Sequence, residues 1–221
     1  MTYETFDAGS PFDYRTVSRC YVPTGMDASA KAKQAWARLL PMQIASLVKA
    51  AGGGALVLFT SRKQMQATYE DLLPVLSAYS VKMQGQEPIE NLLAWKRENP
   101  DSVLFGTRGL MTGVDIQGNA LRLVIVDKLP FSVPTEPVFQ AKCELIENRG
   151  GNSFRGISIP NMTLVLEQAF GRLIRTVDDR GVVACLDSRL ADTGWGKGII
   201  RHLPPSPVVR SLHDVENFFA V

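Results

Sequence analysis

Four short segments of this chain are apolar almost from end to end: Ala55–Phe59, Ser102–Gly106, Leu121–Asp127 and Gly181–Asp187. A strand that alternates apolar and polar residues can leave one face in water, whereas a strand without alternation must be covered on both. Between these runs lie stretches of helical spacing. Ala28–Ala51 carries Trp36 and several leucines at helical intervals, with Pro41 expected to open a second set of turns. Gly52-Gly53-Gly54 ends that helix, because glycine adopts positive φ at little cost. Ser61 is placed to cap a helix from Arg62 to about Ala78. Ser80–Met83 reads as a further short strand, Ile89–Glu98 as a helix stopped by Asn99-Pro100, and Met162–Thr176 as a helix behind Pro160-Asn161. Strands alternating with helices imply crossover connections and a parallel sheet. The expected fold is therefore α/β: a doubly wound, mainly parallel sheet with helices on both faces. Lys128–Ile159 is expected to be a long, partly helical connection, residues 1–15 a polar, turn-rich linker, and residues 16–221 the domain proper.

Composition narrows the function classes. With 221 residues, 45% of them apolar and 21% charged, the chain can bury one ordinary core, which excludes wholesale disorder. The longest uninterrupted apolar run is five residues, far short of the roughly 20 that span a bilayer. The first residues carry neither a basic nor an apolar signal region, so a cytoplasmic location and no membrane partner are expected. The three cysteines, Cys20, Cys143 and Cys185, are far apart and form no CxxC pair. The two histidines, His202 and His213, give metal or triad catalysis little material, and no metal site is expected. No GxxxxGK[ST] phosphate loop is present. Gly52 to Gly54 precede a strand, and Gly194-Trp-Gly-Lys-Gly198 has glycine where a metal-binding hydroxyl would stand.

Ligands of open α/β sheets collect at the carboxyl ends of the strands. The residues expected there are Thr60-Ser61-Arg62, Thr107-Arg108-Gly109 leading to Gly113-Val-Asp115, Asp127-Lys128, and Asp187-Ser188-Arg189. Hydroxyls, backbone donors and arginines in one place suit a phosphate-rich ligand. A second pattern stands in Leu166-Glu-Gln168-Ala-Phe-Gly171-Arg172-Leu-Ile-Arg175. On a continuous helix, Gln168, Arg172 and Arg175 fall at i, i+4 and i+7 and share one face. Gly171 lets another chain or ligand approach beside them.

Gln168-Ala-Phe-Gly-Arg-Leu-Ile-Arg175 resembles motif VI (QxxGRxIR) of the DinG/XPD-type helicases of superfamily 2. Thr107 to Asp115 is similar to their motif V and Ala55 to Ser61 to their motif IV. Gly9 to Tyr14, Leu129 to Pro137, Asp179 to Val183 and Leu186 to Arg189 also resemble family segments, in order along the chain. The resemblance runs from about Gly9 to Arg210 and matches the second of the family's two RecA-like motor domains. It implies a RecA-like fold and a role as the second motor half of an ATP-dependent DNA helicase, with five-prime to three-prime movement. Arg172 and Arg175 would then be catalytic arginine fingers reaching the ATP phosphates. Gln168, Gly113 and Asp115 would sit at the nucleotide. Thr60, Ser61, Arg62, Thr107 and Arg108 would track single-stranded DNA. ATP and Mg2+ would be held mainly by the first RecA-like domain, the partner of this one, and an iron–sulfur cluster would lie only outside this chain. Two other functions fit the residues: a non-catalytic α/β module that binds nucleotide or single-stranded DNA, and a helicase-like subunit of a CRISPR or phage effector.

Overall fold

The computed structural model describes residues 10–111, 116, 118–131 and 136–220. Along the chain these form α1 (Tyr14–Val17), β1 (Ser18–Tyr21), α2 (Lys33–Ala51), β2 (Ala55–Phe59), α3 (Arg62–Leu72), β3 (Val81–Met83), α4 (Ile89–Glu98) and β4 (Val103–Thr107). There follow β5 (Leu123–Val126), α5 (Pro137–Asn148), α6 (Ile159–Leu173), β6 (Gly181–Cys185), α7 (Arg189–Asp192), α8 (Gly194–Ile200), β7 (Val208–Val209) and α9 (Leu212–Phe219). The strands form one sheet in the order β3-β4-β2-β5-β6-β1-β7. Every strand pair described is parallel.

The expected α/β sheet is present, and its wholly apolar strands are wholly buried. Successive residues of β2 feed opposite faces, as the strand period demands. Leu56 and Leu58 pack with Leu104, Val124, Val126 and α6 on one side. Ala55, Val57 and Phe59 pack with Phe105, Ile125, α2 and α3 on the other. The two helical layers thus share one sheet, and the carboxyl ends of β4, β2, β5 and β6 lie side by side along one edge.

Four expectations are corrected. Pro41 opens no second set of turns: it lies inside the single helix α2. Trp36, Leu40, Ile44, Leu47 and Val48 are all buried on one face of that helix, and this packing holds both halves together across the missing N–H. The helix ends where expected, at Gly52 with φ +65, with Gly53 N–H donating back to Val48 O at 2.9 Å. The helix begun at Arg62 stops at Leu72, shortly before Pro74, and the chain reaches β3 through turns. The helix expected over Met162–Thr176 starts earlier and ends at Leu173, because Ile174 is extended (φ −113, ψ 109). Finally, β1 and β7 join the sheet although neither reads as an apolar run.

Candidate functional site

Two groups of residues gather at opposite edges of the sheet. At the carboxyl edge, the strand-end carboxylates face inward. Asp127, fully buried just beyond β5, accepts hydrogen bonds from Thr60 N (3.0 Å), Thr60 Oγ1 (3.3 Å) and Lys128 N (2.8 Å). Burial pushes its carboxyl up to about 7, against the pull of Lys128 and of these donors. Asp187, beyond β6, accepts from Arg189 Nε at 2.9 Å and Arg189 Nη2 at 2.6 Å, and from Leu129 N at 3.3 Å. This pair ties the chain leaving β5 to the chain leaving β6, so Asp187 and Arg189 serve each other rather than an outside ligand.

The hydroxyls are also engaged. Thr107 N and Thr107 Oγ1 both donate to Gln84 Oε1, at 2.8 and 2.9 Å. Ser61 caps α3, its Oγ accepting from Gln64 N at 3.4 Å. Arg62 begins α3 beside them and is exposed, and its side chain makes no hydrogen bond or ion pair among the described residues. Arg108 opens the short 3-10 turn after β4. Gln84 is a residue that sequence reasoning missed: a lone glutamine after a three-residue strand carries no local signal, and its role exists only because β3 lies beside β4.

The arginine pair occupies the amino edge, where β5 and β6 begin. Gln168 and Arg172, both half-buried, lie one turn apart in α6. Gly171 is exposed, and a Cβ there would meet nothing within 4 Å, so the surface beside Arg172 is open to a neighbouring body. Arg175 does not share the helix face, because α6 has ended and the chain has turned. Asp179, almost fully buried, holds that turn. Its Oδ2 accepts from Arg175 N (2.8 Å) and Thr176 N (2.7 Å), and its Oδ1 from Gly118 N (3.1 Å), just upstream of β5. Arg175 thus sits, half-buried, in a pinned loop three residues beyond Arg172. Gly113 and Asp115 lie outside the described residues.

A cleft of about 1110 Å³ lies between α6 and α8 and includes Phe154, Ile159, Leu164 and Trp195. Trp195 packs edge-on against Phe154 and Phe131, with ring centroids 5.4 and 6.2 Å apart. Trp36 is buried and donates its indole N–H to Leu186 O at 2.7 Å. Among the described residues no three His, Cys, Asp or Glu side chains converge to hold a metal. No helix there is long and apolar enough to cross a membrane.

A parallel sheet in this order, with arginines at the amino edge and donor-rich strand ends at the other, defines a RecA-like α/β domain of the helicase motor type. The chain belongs to the helicase C-terminal domain family, which it matches over residues 44–206. It is 38% identical over 204 residues to the ATP-dependent helicase DinG of Mycobacterium tuberculosis, covering 90% of this chain and 30% of that protein. It is 36% identical over 209 residues to the ATP-dependent DNA helicase YoaA of Haemophilus influenzae, covering 95% of this chain and 32% of that protein. The chain therefore spans about a third of the length of these relatives. An apo XPD structure superposes with a TM-score of 0.67 at 17% identity, over 88% of this chain and 40% of that one, which supports the fold.

Proposed function

We propose that this chain is the second motor half of an ATP-dependent DNA helicase of the DinG/XPD type. Arg172 and Arg175 project from the amino edge across the inter-domain cleft and stabilise charge developing on the transferred phosphoryl group. Gln168, one turn before Arg172, contacts the nucleotide, together with Gly113 and Asp115. The opposite edge, with Thr60, Ser61, Arg62, Thr107 and Arg108, follows the backbone of a single DNA strand, which moves five-prime to three-prime. The observation that carries this reading is the Asp179 turn. It pins the backbone of Arg175 just past the end of the helix that carries Arg172, and ties that loop to the chain upstream of β5.

On this reading ATP and Mg2+ would be held mainly by the first motor domain, and any iron–sulfur cluster would lie outside this chain. What this chain supplies is charge and alignment. ATP bound in the first domain draws the halves together through the arginines, hydrolysis releases them, and the difference in DNA affinity between the two states moves the strand.

The test is the ATPase rate of a full-length protein containing this chain, with and without single-stranded DNA. Arg172→Ala is expected to lower the DNA-stimulated rate roughly 10³-fold or more while ATP binding is largely retained. An unchanged rate would remove Arg172 from the catalytic role. In the same preparation, duplexes with a five-prime tail should be unwound and those with only a three-prime tail should not. Unwinding of the latter alone would reverse the polarity.

A further inference from the structure

The strand pairing of β3 with β4 continues one residue past Met83, where Gln84 N donates to Phe105 O at 2.8 Å. The chain then swings away at Gly85, with φ +102. β4 would be left with an unpaired N–H at Thr107, and the Gln84 side chain takes the place of the absent strand. A backbone N–H can only donate, so the carboxamide atom facing Thr107 N must be the oxygen. That assignment settles the other end of the group: the Gln84 NH2 is directed away from Thr107. Its two donors have no hydrogen-bond partner among the described residues.

Gln84 borders a cleft of about 260 Å³ together with Arg62, Met65, Gly85, Glu87 and Leu92. Arg62, at the start of α3, is the cation of that cleft. Its carboxylate, Glu87, is held at 2.7 Å by Lys82 Nζ. Thr107, meanwhile, donates its hydroxyl proton to Gln84, so its place on the nucleic-acid track is taken through the Gln84 carboxamide and not by its own hydroxyl. Among the donors at this end of the edge are the carboxamide NH2 and the guanidinium.

We propose that Gln84 Nε2 and Arg62 form a phosphate subsite for one phosphodiester of single-stranded nucleic acid. Gln84, locked by Thr107, is the donor there in place of the threonine hydroxyl. One cationic group and one neutral amide match the single charge of a diester better than the double charge of a free phosphate monoester. The inference rests on the reading of the carboxyl edge as a nucleic-acid track.

The experiment is titration of a labelled oligothymidylate with this chain at low and high salt, alongside thermal melts. Gln84→Glu keeps an oxygen for Thr107 and replaces the NH2 with a charged oxygen. It should melt close to wild type and bind about tenfold or more weakly at low salt, the scale of one lost hydrogen bond to a charged group. Arg62→Ala, at an exposed position, should fold normally and lower the slope of log affinity against log salt by about 0.7, the share of one phosphate on a single strand. Inorganic phosphate, matched with chloride for ionic strength, should not displace the strand. Displacement would assign the subsite to free phosphate and overturn the diester assignment. Wild-type affinity in Gln84→Glu alongside weakened binding in Thr60→Val would overturn the subsite and leave the edge reading standing. Absence of salt-sensitive binding by the wild-type chain would overturn both.

Discussion

Asp127 shows how one buried carboxyl can position a surface and respond to pH. It sits at the carboxyl end of β5 and gives acceptors to Thr60 and Lys128, so the backbone at the end of β2 depends on it. Its carboxyl is raised from 3.8 to about 7 by burial. Below the lower value the group is protonated in both the folded and unfolded states. Between the two values the unfolded chain has given up the proton and the folded chain has kept it. Folding is thus favoured at the acid end of this window, and its advantage is lost as pH rises toward 7, at up to about 1.4 kcal/mol per pH unit for one proton. Asp127→Asn lacks the titration. Urea unfolding of both proteins at pH 5 and pH 7 should show the wild type losing stability relative to Asp127→Asn over that interval. A difference that stays constant would mean that the Asp127 proton is not retained on folding. A second buried ion, Lys96, donates to Ser102 O at 2.9 Å and Ala120 O at 2.6 Å, and burial pulls its ammonium down to about 7. Its effect runs the other way, adding stability as pH rises above 7, so comparing the two proteins below that point isolates Asp127.

The end of α6 decides the geometry of the arginine pair, and Asp179 decides that end. Asp179→Ala leaves three backbone N–H groups, of Arg175, Thr176 and Gly118, without their acceptor. A loss of about 3 kcal/mol in urea unfolding is expected, since one buried unsatisfied donor costs roughly 1–3 kcal/mol and the relaxed turn recovers some of it with water. A loss under about 0.5 kcal/mol would mean that the turn holds itself without the carboxylate. The sequence made Gln168 and Arg172 legible because four-residue spacing survives wherever the helix persists. Arg175 was not legible as a loop residue, because its place depends on a carboxylate four positions on and on the chain before β5. The same contrast runs through the sheet. β2, β4, β5 and β6 declare themselves because nothing polar interrupts them. β1 hides behind Ser18 and Arg19: Ser18 is buried but satisfied by donating to Tyr14 O at 2.8 Å, and such pairing cannot be read along the chain. Thr60, Ser61, Arg62 and Thr107 were visible as strand ends. Their partners Asp127 and Gln84 come from neighbouring strands, and only the folded sheet brings them in.

Across the molecule, the strands themselves separate the two chemistries. Strands of four or five residues put the arginine edge roughly 15 Å from the donor-rich edge. That exceeds the screening length of about 8 Å at physiological ionic strength, so the charge of Arg172 is largely hidden from a strand at the far edge. In this chain alone, Arg172→Ala should therefore leave single-stranded DNA affinity within about twofold of wild type, and Arg172→Ala and Arg62→Ala should act additively. On the motor reading proposed above, Arg172 would close one edge against the other domain when ATP is bound to a full-length protein, and rigid strands would transmit that closure to the opposite edge. There the same two substitutions should couple by about 1 kcal/mol or more in a double-mutant cycle of DNA affinity. The measurement is one cycle done twice, on the isolated chain and on the full-length protein with a non-hydrolysable ATP analogue. Coupling already present in the isolated chain would mean that the edges communicate without closure. Coupling absent from both would mean that Arg172 does not link nucleotide to DNA, and the motor reading would lose its mechanical step.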